Sequence, residues 1–516
     1  MTRRTRAAVL FGLVALALAF RLFLALHWPN DEPDDSRVYT LLARNLLSWG
    51  AYSVSLAPPM VPTYVRVPGY PLFIAGVYRL FGVGNDTAVR VLQVAVETAA
   101  CWVVGCLAFA LAPRRWPEPI RWRVRAAALG LAAVCPFTAI YVTTVLTEAL
   151  AVALGATLAW LAARALEADT PAPADGPHAT PAPMTPSSGR WWWLAAGLAG
   201  GALTIVRPEG GLVTAGAGVA LVAGFVLPQR SGGAAWLPRL RRVIASGAML
   251  SLGFLAFEGP WVARNAAVFG VFQPTAPSNV AMPEDFFTFG YNHWLRTWVN
   301  EPRWVQPFEF DQDRVRFSVD RLPPWAFDSP EERRLVTELF ALYNDGAPGA
   351  VRPRDPETPA GFTPEIDRRF ETLAGERAHR HPVRHYLLLP MERLFWLWVG
   401  PHAQYYPFDG DLFPLASLDR EMNQHIWLPL FTVLTLLWTL AGAAGVVRLS
   451  ADRTARMGLL LVALIVVPRL VLLASIENPE PRYMVELFPF LSALGGIALG
   501  GPRSAAAAGA RGTQEA

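Results

Sequence analysis

Long apolar runs alternate with short polar or arginine-rich segments along this chain. Residues 7–28 form the first run, directly after Arg3, Arg4 and Arg6. It is long enough to cross a bilayer. Arg21 interrupts it and no small-residue cleavage site follows, so it reads as an uncleaved first helix with a cytoplasmic N terminus. Comparable runs cover residues 88–111, 126–141, 146–163, 191–206, 211–227, 243–262, 426–447, 457–475 and 484–499. The pattern predicts an all-α integral membrane bundle of roughly ten transmembrane helices.

Arginine clusters set the expected orientation. Arg114, Arg115, Arg121, Arg123 and Arg125 crowd one loop, Arg239, Arg241 and Arg242 another, and Arg448, Arg453 and Arg456 a third. All three read as cytoplasmic. Residues 167–190, rich in Pro, Ala, Thr and Ser, read as a flexible cytoplasmic linker. On the other side, residues 264–385 are polar, cysteine-free and too many for a connector, which predicts a mixed extracytoplasmic domain. An interfacial helix at 386–399 follows it. The expected division is 1–262 as an N-terminal transmembrane module that includes the first extracytoplasmic loop. Residues 263–425 form the domain with its interfacial helix, 426–500 the C-terminal membrane helices, and 501–516 a cytoplasmic tail.

Composition narrows the class. Hydrophobic residues make up 53% and charged residues 17%, with mean hydropathy +0.29, which excludes both a soluble multidomain chain and a disordered one. Three cysteines, Cys101, Cys106 and Cys135, all lie in apolar runs, so a disulfide scaffold is excluded too. The net charge of +4 is no sign of nucleic acid, because all 45 cationic residues are arginines placed where topology explains them. No phosphate-binding loop or dinucleotide fingerprint is present, so no cofactor is expected. His379, His381 and His385 are close together, but Pro382 lies between the last two and no acid accompanies them, so no metal is expected either.

Polar residues gather at the outer helix ends. They are Asp34, Asp35 and Tyr39; Arg66 with Pro68-Gly69-Tyr70-Pro71; Thr147 and Glu148; Arg207 and Glu209; Arg264; and Glu480, Arg482 and Tyr483. Each has an ordinary reading. Asp34 and Asp35 fit a helix N-cap, Glu148 complements a helix dipole, and Arg207 and Arg482 fit interfacial anchors. Arg21, Glu97, Glu258 and Arg469 lie inside apolar runs, where they are either functional or structural ion pairs.

The ordered set Asp35-Ser36-Arg37-Val38-Tyr39, Arg66-Val67-Pro68-Gly69-Tyr70-Pro71, Thr147-Glu148, Arg207-Pro208 and Arg482-Tyr483 resembles the glycosyltransferase C superfamily, in its protein O-mannosyltransferase and lipid A aminoarabinose transferase branch. Many relatives carry an Asp-Glu pair just before the Tyr. Here Ser36 follows Asp35, and Asp31-Glu32 lies upstream. The resemblance implies transfer of a sugar from a polyprenyl-phosphate donor to an acceptor hydroxyl on an extracytoplasmic glycan, lipid or protein, with inversion. It implies a bacterial inner-membrane enzyme with Asp35, Asp34 or Glu148 as catalytic acid residues. Arg66, Tyr70, Arg207, Arg482 and Tyr483 then bind the donor. A secondary transporter or lipid flippase is the alternative. It is disfavoured because the polar residues concentrate at one face and no related halves are apparent.

Overall fold

The computed structural model describes residues 2–30, 34–169, 188–226, 236–277, 281–282, 285–312, 315–346 and 361–502. The Asp31-Glu32 pair, the side chain of Asp34, most of the expected linker and all but the first two residues of the expected tail lie outside the described residues.

The membrane part is a bundle of apolar helices: α1 (Arg3–His27), α2 (Asp34–Trp49), α3 (Gly69–Phe81), α4 (Asp86–Leu111), α5 (Glu118–Ala133), α6 (Pro136–Ala139), α7 (Glu148–Asp169), α8 (Ser188–Val206), α9 (Gly210–Val226) and α10 (Trp236–Phe269). After the polar region come α15 (Gln424–Ser450), α16 (Arg456–Ser475) and α17 (Phe488–Gly500). Among the described residues, seven helices are long and apolar enough to cross a membrane, or eight if the bent pair α5–α6 is one span. The expected all-α bundle stands, and two of the ten expected runs, α8 and α9, fall short of that mark. α9 has 17 residues, and α8 begins with Arg190 and three tryptophans, which dilute its apolar character. Both still pack inside the bundle. Small residues allow this: a Cβ on Gly197 of α8 would meet the Leu250 carbonyl oxygen of α10 at 2.1 Å.

The bend has an identifiable cause. Pro136 cannot continue α5, and the chain turns by 49° at the break. The carbonyls of Ala132 and Ala133 are freed and accept from Arg21 at 3.1 and 3.0 Å. Glu97 on α4 balances the guanidinium at 2.7 Å. These charges inside apolar runs thus hold a broken helix within the bundle.

The arginine-rich loops collect at one end, where Arg6–Glu118 (2.5 Å), Arg115–Asp452 (2.6 Å) and Arg114–Glu167 (2.9 Å) tie helix ends together. The polar region covers the opposite end. It contains α11 (Phe289–Arg296), α12 (Pro330–Gly346), α13 (Pro364–Arg380) and α14 (Leu389–Val399). Tyr291, Trp294, Trp298, Phe308, Phe340 and Phe370 build its own aromatic core. The expected mixed domain has no strand among the described residues. Its buried residues recur at helical spacing, as in Tyr291, Trp294, Leu295 and Trp298, and not in alternation. α14 has 11 residues, too few to cross a bilayer. Arg393 anchors it by donating to the carbonyl of Val299 at 2.7 Å.

Candidate active site

Where the domain meets the helix ends there is a cavity of about 1460 Å³. Asp35, Tyr39, Arg66, Glu148, Arg207, Glu209, Arg482 and Tyr483 all line it, although they lie hundreds of residues apart in the chain.

Asp35 sits in the first turn of α2, with Tyr39 one turn further along the same face. Its carboxylate is held from two sides, by Arg66 Nη2 at 2.5 Å and Arg482 Nη1 at 3.2 Å. Burial acts to raise the pKa of this group, but the two guanidiniums outweigh it and hold Asp35 below the usual carboxylate range. Arg66 is itself positioned by its backbone. The Tyr52 hydroxyl donates to the carbonyls of Arg66 at 3.0 Å and Val67 at 3.1 Å. The glycine of the Pro-Gly-Tyr-Pro motif brings this segment to the far wall, since a Cβ on Gly69 would lie 2.6 Å from the Ile205 carbonyl oxygen. Two residues beyond Ile205, α8 has ended and Arg207 enters the cavity.

Arg207 is the hub of a second charge group. It reaches Glu148 at 3.0 Å, Glu209 at 2.9 Å and Glu486 at 3.1 Å, and donates to the Thr147 hydroxyl at 3.3 Å. Arg469 of α16 supports the same acids, 2.9 Å from Glu486 and 3.8 Å from Glu209. Burial opposes ionisation of Glu209, but Arg207 and Arg469 bring it below its ordinary range. Tyr483 lies between the groups, its ring 5.2 Å from the Arg482 guanidinium and 5.8 Å from that of Arg207. Arg482 also pairs with Glu480, which burial pushes above its usual range despite that arginine.

Tyr70 does not line the cavity. Its ring is buried edge-on to Tyr39 at 5.2 Å, and its hydroxyl donates to Gln93 Oε1 at 2.5 Å. It supports the wall from behind. Arg264 is also structural, donating to the Thr63 carbonyl at 2.7 Å. Sequence reading flagged Arg469 without a role and missed Glu486, although an acid inside an apolar run was the available signal. It also missed the whole domain-side wall, including Glu309. Among the described residues no three His, Cys, Asp or Glu side chains stand together as a metal-ligand set.

Leu212 of α9 and Leu472 of α16 line the cavity and are exposed, so its rim carries an apolar lip beside the arginines. The arrangement can hold an oxyanion with planar guanidiniums, keep a carboxylate beside it, and seat an apolar substituent at the lip.

No family model matches the chain, and no curated protein matches it. Among solved structures the chain has distant likenesses. ArnT from Cupriavidus metallidurans bound to undecaprenyl phosphate is 16% identical over 94% of this chain and 76% of that one, with a TM-score of 0.37. The archaeal oligosaccharyltransferase AglB from Archaeoglobus fulgidus, in complex with an inhibitory peptide and a dolichol-phosphate, is 13% identical over 94% of this chain and 50% of that one, with a TM-score of 0.44. Likeness at that level carries no argument about chemistry, which rests on the cavity's own residues.

Proposed function

We propose that this chain is an integral-membrane glycosyltransferase that moves a sugar from a polyprenyl-phosphate donor to an acceptor hydroxyl at the extracytoplasmic face. One observation carries the reading: Arg66, Arg207 and Arg482, far apart in sequence, line one cavity at the helix ends with Asp35 clamped between two of them. A lipid-borne phosphate needs such donors where a tail can remain in the bilayer, and the Leu212–Leu472 lip offers that exit. The resemblance of the surrounding motifs names the same donor class. The arginine clusters at the opposite end support an extracytoplasmic site.

The acceptor oxygen attacks the anomeric carbon as the bond from that carbon to the phosphate oxygen breaks. Polyprenyl phosphate leaves on the arginines, the acceptor proton passes to Asp35, and the single displacement inverts the centre. At rest Asp35 is a weak base because two guanidiniums hold it. A donor phosphate competing for those guanidiniums returns its basicity, which links base strength to donor occupancy. Glu148 and Asp34 remain the alternative acids.

The test uses purified protein in lipid, radiolabelled polyprenyl-phosphate sugars and membrane extract. Transfer by the wild type, absent in Asp35→Asn, is the expected result. Movement of the intact labelled lipid across vesicles with no sugar transferred would make the chain a flippase instead. Orientation is checked separately. A cysteine at Glu301 should react with an impermeant thiol reagent in intact cells, and one at Arg239 should not.

A further inference from the structure

The two walls of the cavity differ in kind. On the membrane side Asp35, Glu148 and Glu209 are each tied to an arginine. The domain side carries a run of amide and hydroxyl groups. Thr288 donates to Gln312 Oε1 at 3.1 Å, and Gln312 Nε2 reaches Asn292 Oδ1 at 3.5 Å. Arg296, also on this wall, is consumed by Glu477 at 2.7 Å. Beside them stands Glu309, on the single turn Gln306–Phe310. Among the described residues it has no ion pair, and its Oε2 is buried without a hydrogen-bond partner. A buried polar atom left open on a cavity wall is completed by what enters the cavity.

We propose that Glu309, with Thr288, Asn292 and Gln312, forms a subsite for the hydroxyl groups of the donor sugar. This rests on the glycosyltransferase reading. The donor phosphate takes the arginine wall, so the sugar attached to it projects towards the domain. Amide, hydroxyl and neutral carboxyl groups both donate and accept, which matches a polyol. The neutral state has a physical cause. Burial first, then the charges of Glu477 and Glu480 on the turn before α17, push Glu309 up to about 8, and Arg296 on α11 offsets this only in part. Tyr291, also on α11, gives its hydroxyl to the Phe308 carbonyl at 2.9 Å and carries no charge.

A raised carboxyl is protonated below its shifted value. Sugar recognition that needs the protonated carboxyl is therefore fullest well below about pH 8 and is lost as pH rises through that value. Full-length protein in nanodiscs is titrated with undecaprenyl phosphate and with its mannose, glucose and arabinose derivatives, and transfer is followed between about pH 6 and about pH 9. At least one sugar derivative should bind more tightly than the bare lipid. Glu309→Ala should lose about tenfold of that increment and leave bare-lipid affinity unchanged. Glu309→Gln, a neutral isostere, should keep the increment and lose the alkaline decline. The proposal is overturned if Glu309→Ala keeps the wild-type increment, or if no derivative binds better than the bare lipid. It is also overturned if Glu309→Gln fails like Glu309→Ala and wild-type activity rises through pH 8, since Glu309 would then be a base. A Glu309-dependent sugar increment without any transfer would overturn the enzyme reading and leave the subsite standing. Transfer that is indifferent to Glu309 would do the reverse.

Discussion

Arg21 with Glu97, and Asp35 with Arg66 and Arg482, are both acid–arginine groups built from distant helices, yet their surroundings differ. The first pair is 0% and 1% exposed, and its spare donors end on backbone carbonyls of the broken helix. In the second, Asp35 is 29% exposed and the two arginines 17% and 15%, all facing an open cavity. A closed pair can only hold structure. An open one can exchange its internal partner for a ligand, because the side chain it releases faces the cavity and not a closed interior. Exposure to a cavity, more than the presence of charge, separates the site from the scaffold.

The sharpest way to break this distinction is Asp35→Asn. It should fold and insert normally, since Asn keeps the side chain's shape and the two arginines it leaves still face the open cavity, and lose about 10²–10⁴-fold in turnover. Asp34→Asn should be milder. Wild-type turnover in Asp35→Asn would transfer the base role to Glu148. Arg21→Ala should do the opposite. Removing one partner of a closed pair costs about 3–5 kcal/mol, read as a lowered melting temperature, while turnover per folded molecule stays unchanged. A stable but inactive Arg21→Ala protein would erase the distinction.

Smaller effects sharpen it. Arg482→Lys keeps the charge but not the planar fork, and should weaken donor binding about tenfold in lipid titrations. The pH profile should show the least change. Because Arg66 and Arg482 hold Asp35 below the ordinary range in the free protein, it stays ionised there as pH falls past the usual value of about 3.9, so the acid limb of kcat/KM, which reports the free protein, should lie lower still. Arg482→Ala removes one of those cations, and the acid limb should then move up. An unmoved limb would mean that Asp35 is not the titrating group.

The sequence made the helices legible because apolar runs between arginine clusters leave little choice. It also made Asp35, Arg66, Glu148, Arg207, Arg482 and Tyr483 legible as one set, since all fall at helix ends on one side, and the structure brings them to one cavity. A further candidate, Tyr70, shares a motif with Gly69 but points behind the wall, and motif membership cannot tell the two apart. The break at Pro136 was hidden because its neighbours are as apolar as a span. Glu309 was hidden for another reason: its openness depends on where α11 and the turn at Glu477 happen to stand, and nothing local records that. The helical character of the domain was obscured by its many prolines, which here mostly start turns and helices.

The bent helix also bears on how the protein is made. Arg21 leaves the ribosome in the first hydrophobic segment, but the Ala133 carbonyl that receives it is 112 residues later in the chain. At about 5–20 residues per second that is a delay of roughly 6–20 s. Its counter-charge Glu97 comes sooner, 76 residues after Arg21, so for the first part of that interval the nascent segment carries a guanidinium that disfavours lipid by about 2.5–3.5 kcal/mol. The set of bonds that seats α1 is therefore complete only once α4 and α5 have been made.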